Sequence, residues 1–232
     1  APALAILAKN HGVAFILDGI TSVAGLPVHP EDWNAEAVVV GAQKCTAGPS
    51  GIAAIAVSKS FIESCKELRQ SGKGNPLYYF DLLPAVKKAE DDQTPWTPAI
   101  NLVLGWATAL SELENETLEG RVRRCALMSQ GVRNLFSDLG FNLFAEAGCY
   151  SDTVTAILYP EGFDDGWRTR LQNEYQTFVI GAQDHMKGKM FRIGSMGNTS
   201  VAEMVEGCRR MLSCFADLGL DLGEVDVDSY FK

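Results

Sequence analysis

Apolar residues recur along this chain in two periods. Leu4, Leu7 and Ala8 are spaced for one face of a helix, and Gly12 stands where such a helix would stop. Val13 to Leu17 is then a continuous apolar run ending on Asp18, a pattern that suits a parallel strand buried on both faces. After a Gly/Pro-rich connection over residues 19–34, Ala37 to Val40 forms a second run that leads into Gly41-Ala42-Gln43-Lys44. The polar turn Thr46-Ala47-Gly48-Pro49-Ser50-Gly51 follows, and Ile52 to Val57 makes a third strand. Three buried strands predict a sheet core. Ligands of open α/β sheets sit beyond the carboxyl ends of the strands, where Asp18 and Lys44 both fall.

Residues 59–93 read as a helix, a loop with Gly72, Gly74 and Pro76, and the aromatic cluster Tyr78-Tyr79-Phe80. The prolines of Thr94-Pro95-Trp96-Thr97-Pro98 keep their predecessors out of the α region. Thr97 is expected as an N-cap, with Pro98 at the first helical position. A long helical stretch covers about 99–138, with Gly120 as its interruption. Beyond it the pattern predicts strands at Asn142–Ala145, Thr153–Leu158 and Met190–Ile193, and helices at Asp165–Tyr175 and Val201–Leu212. The tail after Gly219, with Asp221, Glu224, Asp226 and Asp228, reads as a solvated end. The expected division is a sheet domain over 1–110 and a small α+β domain over 111–232.

Composition narrows the function classes. The 232 residues are 47% hydrophobic with net charge -9, which suits a globular chain and argues against a general nucleic-acid binder. Six cysteines lie scattered without a CxxC pair, so they are expected as free thiols in a reducing, cytoplasmic setting. His11, His29 and His185 are far apart in sequence, and no metal site is expected. No apolar run reaches the roughly 18 residues of a membrane span, and neither a signal-peptide pattern nor a peroxisomal terminus is seen. The chain starts inside a helix, at Ala1-Pro2-Ala3-Leu4, so it is expected to be cut from a longer protein.

A lone strand-end Asp is usually a cap, and a lone Lys is usually a solvated charge. Their shared setting suggests more. Lys44 follows an apolar strand and precedes a Gly/Pro-rich turn, so its stem starts from a partly buried point. Burial or a nearby cation would lower its pKa and free the amine as a nucleophile. Asp18 at a neighbouring strand end could pair with a protonated pyridine nitrogen, the arrangement that makes pyridoxal phosphate an electron sink.

The stretch Ile16-Leu17-Asp18-Gly19-Ile20-Thr21-Ser22-Val23-Ala24-Gly25-Leu26-Pro27, with Gly41-Ala42-Gln43-Lys44 and Gly48-Pro49-Ser50-Gly51, resembles the cofactor region of class V aminotransferases. These are fold-type I enzymes, among them the alanine– and serine–glyoxylate aminotransferases. Ala24 stands where the family often has Gly, and Ala42 where it often has Ser. The resemblance implies a C-terminal part of a fold-type I transferase: a partial, mainly parallel α/β sheet domain and a small α+β domain. It also implies that Asp18 meets the pyridine nitrogen, Ile20 the ring face and Gln43 the phosphate, and that Lys44 carries the cofactor. Thr97, and less firmly Thr94, match a segment that crosses the interface of a homodimer, where the Thr touches the phosphate held by the other subunit.

Phe191-Arg192-Ile193-Gly194-Ser195-Met196-Gly197 is similar to the family's F-R-I-G-x-x-G motif, whose Arg grips the substrate α-carboxylate. The bland alternative for Arg192 is an ion pair within the chain, with Asp184 as candidate. Glycines at 188, 194 and 197 are expected to clear space around its guanidinium.

The implied reaction is ping-pong transamination between a small amino acid, alanine- or serine-like, and a 2-oxo acid such as glyoxylate or pyruvate. Two alternatives stand beside it. One is a sister fold-type I activity, namely 2-aminoethylphosphonate transamination, a desulfurase or a lyase. The other is an inactive fragment serving only as a dimerisation module. The family's upstream phosphate loop and ring-stacking aromatic have no counterpart within these residues.

Overall fold

The computed structural model describes residues 1–74 and 77–232, so Pro76 of the expected loop lies outside the described residues. The chain divides into two compact units, Ala1–Val23 with Pro27–Glu112, and Ala24–Leu26 with Leu113–Lys232.

The first unit opens with α1 (Pro2–Asn10). Its expected apolar face is not the buried one: Ala5 is buried, whereas Leu4 and Leu7 are exposed. Gly12 does end the helix, at φ +61°, and the Val13 amide returns to the Ala8 carbonyl at 2.9 Å. Val13 thus belongs to the helix end, which leaves β1 (Ile16–Asp18) shorter than the apolar run predicts.

Strands β2 (Ala37–Gly41) and β3 (Ala53–Val57) complete a sheet of order β1-β2-β3. β1 and β2 are parallel, with Asp18 opposite Val39. β3 is antiparallel to β2, with Gly41 opposite Ala53. The connection between β2 and β3 is too short for the crossover a parallel pair needs, and Ala42 donates to the Ile52 carbonyl at 3.3 Å across the base of the turn. β3 is mostly exposed rather than buried as expected, because β2 is its only partner among the described residues and Ile55 keeps 50% of its surface.

Helices α2 (Lys59–Gln70) and α3 (Leu82–Ala89) follow. The tight turn Tyr78–Phe80 lies between them, and the Trp96 ring packs 4.1 Å from Tyr78 and 5.3 Å from Tyr79. The next helix, α4 (Ile100–Glu116), starts two residues later than its sequence pattern suggests. The carbonyl of Ala99 takes the first helical bonds, from Leu102 and Val103, so Thr97 is exposed ahead of the helix and does not cap it.

α5 (Leu118–Asp138) is separated from α4 at Thr117, not at Gly120. Thr117 has φ +71°, and its hydroxyl accepts the Gly120 amide at 3.1 Å. The N-cap bond sets the break, and Gly120 is inside the new helix.

The second unit holds β4 (Val154–Leu158), α6 (Asp165–Tyr175), β5 (Ile180–Gly181), β6 (Met190–Gly194) and α7 (Val201–Ala216), with sheet order β4-β6-β5 and antiparallel pairs. The strand expected at Asn142–Ala145 is reduced to one bridge, Leu143 to Ile157. The core gathers Phe136, Trp167, Phe191 and Phe215, with Trp167 stacked on Phe215 at 4.2 Å. Cys125, Cys208 and Cys214 are buried free thiols, whereas Cys149 is exposed. Burial pushes the Cys208 thiol up to about 12. Among the described residues no helix is long and apolar enough to cross a membrane.

The tail is not simply a solvated end. Residues Val227–Phe231 form a 3-10 turn that buries Val227 and Phe231, and the Tyr230 hydroxyl donates to Asp138 at 3.1 Å. Its seat is Gly131 in α5, where a Cβ would stand 2.6 Å from the Phe231 ring and 2.8 Å from the Tyr230 carbonyl. Gly131→Ala should therefore destabilise the second unit. Overpacking of about 1–3 kcal/mol outweighs the roughly 1 kcal/mol gained in helix propensity. Urea unfolding of Gly131→Ala, Phe231→Ala and the double variant checks this, since the alanine at 131 should cost less once the Phe231 ring is gone and only the Tyr230 carbonyl still crowds it. Equal costs in both backgrounds would show that the tail does not seat there.

Candidate active site

The parallel pair β1 and β2 brings two strand ends side by side. Gly19 continues the pairing by donating to the Val39 carbonyl at 2.9 Å. A Cβ there would lie 2.9 Å from that same oxygen and 2.7 Å from Val23 Cγ2, so only glycine lets the chain leave β1 this closely. The Asp18 carboxylate is exposed and accepts the Ile20 amide at 3.0 Å, which turns the chain back over the end of β2. Ile20 and Gln43 meet above Gly41, where an added Cβ would stand 3.1 Å from Ile20 Cγ2 and 3.4 Å from Gln43 Oε1. Ile20 and Gln43 thus flank Gly41 at the end of the sheet to which Asp18 leads.

Lys44 is half-buried in the turn that follows β2. Its backbone is held from both sides. Behind it, Cys45 Sγ contacts the Thr21 carbonyl at 3.3 Å, tying the turn to the segment after Asp18. Ahead of it, Gly48 donates to the Ala42 carbonyl at 2.7 Å and Thr46 Oγ1 to the same oxygen at 2.9 Å. Trp106 Nε1 donates to Thr46 Oγ1 at 3.0 Å, and its ring lies so close to Gly48 that a Cβ there would be 2.6 Å from Trp106 Cδ1. Trp106 and Thr46 are residues that sequence reasoning misses. Their partnership spans 60 positions, and no local pattern announces it.

The donor set suits pyridoxal phosphate. An exposed carboxylate at the end of β1, an apolar side chain and an amide beside Gly41, and a half-buried lysine in the turn that follows are the kinds of group this cofactor needs. Thr97 belongs to the same unit and is exposed, but it is not at a helix terminus.

Arg192 is in the second unit, in the middle of β6 between the buried Phe191 and Ile193. Its Nε and Nη2 both donate to the Gly181 carbonyl, at 3.1 and 2.7 Å. Among the described residues it makes no ion pair, so Asp184 is not its partner. The Nη1 side of the fork faces away from this bond, and that edge can take a carboxylate through two N–H groups. Of the three nearby glycines, Gly188 and Gly197 adopt positive φ, +74° and +70°, and so serve the backbone rather than clear space; a Cβ on Gly194 would meet nothing within 4 Å.

The aminotransferase class-V family profile matches residues 1–133. The chain is 34% identical to an uncharacterized aminotransferase of Methanocaldococcus jannaschii over 95% of its own length and 57% of the relative's. It is 32% identical to a serine–glyoxylate aminotransferase of Methylorubrum extorquens, over 84% of the chain and 49% of that protein. Its fold matches the ureidoglycine–glyoxylate aminotransferase of Bacillus subtilis with a TM-score of 0.85 at 21% identity, covering 98% of the chain and 61% of that structure. The chain therefore spans about half the length of the curated relatives it matches. With its sheet, strand-end residues and sequence in agreement, the chain belongs to the class V aminotransferase family, built on the fold-type I α/β architecture.

Proposed function

We propose that this chain serves pyridoxal-phosphate-dependent transamination between a small amino acid, alanine- or serine-like, and a 2-oxo acid such as glyoxylate or pyruvate. The observation that carries the reading is the meeting of Asp18, Ile20, Gln43 and the Lys44 turn at the carboxyl ends of a parallel strand pair. Bound there, pyridoxal phosphate supplies an electron sink for charge developing at the substrate Cα.

In this proposal Asp18 keeps the pyridine nitrogen protonated, Ile20 lies against the ring and Gln43 donates to the phosphate. Lys44 Nζ would hold the cofactor and, as a free amine, would move the proton from the substrate Cα. Thr97 reaches the phosphate held by the other subunit of a homodimer, a role its exposure leaves open to it. Arg192 fixes the substrate carboxylate. Residues 1–110 are the remainder of the large cofactor-binding domain, and 111–232 form the small domain. One site that exchanges an amino group between two substrates in turn gives ping-pong kinetics. The free thiols support a reducing, cytoplasmic setting.

The test uses the complete protein with Arg192→Lys, comparing L-alanine with ethylamine and glyoxylate as acceptor. Loss of a charge-assisted bidentate pair should cost about 2–4 kcal/mol, or roughly 30- to 1000-fold in kcat/KM for alanine, and little for ethylamine. Equal losses on both donors would make Arg192 structural and move the reading toward a sister fold-type I activity.

A further inference from the structure

The backbone of Gly181, whose carbonyl holds Arg192, packs at its Cα against side chains that have no other role in the site. β5 is only two residues long, Ile180 and Gly181, and it pairs with β6 opposite Arg192 and Phe191. So short an edge strand has little ladder of its own to fix it. Behind Gly181 stand two residues from the first turn of α6. A Cβ on Gly181 would lie 3.1 Å from Arg168 Nε, 3.1 Å from Asp165 Oδ1 and 3.3 Å from Arg168 Cζ. These two side chains are joined to each other, Arg168 Nε donating to Asp165 Oδ1 at 3.3 Å. The same oxygen accepts the Tyr159 hydroxyl at 3.2 Å. Tyr159 is anchored in turn, its ring 5.3 Å from Phe191 and 5.9 Å from Trp167 in the core. A continuous path of packed and hydrogen-bonded groups thus runs from the core through Tyr159, Asp165 and Arg168 to the backbone of Gly181, and from its carbonyl to Arg192.

We infer that Tyr159, Asp165 and Arg168 are positioning residues that fix the Gly181 carbonyl and, through it, the direction in which Arg192 presents its free edge to a substrate carboxylate. The inference rests on the carboxylate-binding reading of Arg192. A single carbonyl occupies the Nε–Nη2 edge, so only the Nη1 side is left for a carboxylate, and rotating that carbonyl rotates the binding edge with it. Positioning of this kind is sensitive to shifts of a few tenths of an ångström, the distance by which a methyl group on Gly181 would press against Arg168 and Asp165.

The experiment measures propionate binding by calorimetry in the complete protein, since propionate carries the carboxylate but cannot be transaminated. Wild type is compared with Gly181→Ala, Arg168→Met and Arg192→Lys, alongside melting temperatures and the kcat and KM for L-alanine. The expected result is a propionate Kd raised about 5- to 20-fold by both Gly181→Ala and Arg168→Met. KM for alanine should rise with it while kcat and KM for ethylamine hold. If Arg192→Lys weakens propionate while Gly181→Ala and Arg168→Met bind it as wild type does, the inference is overturned and Arg192 keeps its role. If Arg192→Lys also binds propionate normally, both fall. A lowered melting temperature with unchanged Kd reduces Asp165 and Arg168 to ordinary packing and overturns the inference as well.

Discussion

Lys44→Ala in the complete protein should lose transamination by at least about 10²–10⁴-fold, the range expected from removing a proton-transfer group alone, with the loss of covalent attachment added to it. The fold should survive the change. The turn's shape depends on backbone bonds at Ala42 and Gly48 and on the Thr46–Trp106 pair, none of which uses the lysine side chain. Two measurements check the assignment. Borohydride reduction of the loaded wild-type protein, followed by peptide mapping, should place the pyridoxyl group on Lys44. Added methylamine should restore part of the lost rate by supplying the missing base. A label on another lysine, or turnover near wild type in Lys44→Ala, would refute the role.

Asp18→Asn should lower kcat on the order of 10²–10³-fold, as removal of one preorganised electrostatic partner does elsewhere. Asparagine is the informative choice because its side-chain oxygen can still accept the Ile20 amide, so the turn over the end of β2 is kept while the negative charge is lost. Asp18→Ala removes both. If the carboxylate holds a proton on the pyridine nitrogen, the two variants lose similar rate, and the absorbance of the bound cofactor shows that it is retained. If Asp18 only shapes the turn, Asp18→Asn keeps wild-type turnover and Asp18→Ala alone is impaired.

Much of the candidate site is legible in the sequence because it is local. An apolar run that ends on a polar residue marks a strand end, and two such ends place Asp18 and Lys44 without knowledge of the rest. The helix Asp165–Tyr175 and the strand from Met190 are legible for the same reason, since their periods are clean and their bounds carry caps or glycines. What escapes is set by partners distant in sequence. Nothing near Gly48 announces Trp106, and nothing near Gly131 announces Phe231. The acidic tail reads as solvated because its charges dominate the pattern, although two apolar residues among them find a buried seat. The break at Thr117 escapes because a capping hydroxyl, rather than the nearby glycine, decides where α5 starts. Arg192 shows the same limit. Its strand is readable, but a backbone carbonyl as its anchor is invisible to side-chain counting.

The buried thiols of the second unit have a use unconnected with chemistry at the site. The thiolate is the form that attacks an alkylating reagent, and a thiol that is both enclosed and pushed up to about 12, as at Cys208, offers almost none. Exposed Cys149 should be modified first, and the buried Cys125, Cys208 and Cys214 only when the core opens. Their modification rates, followed by mass spectrometry, therefore form a native clock of local opening events, read at α5 and at two places along α7 without any introduced label.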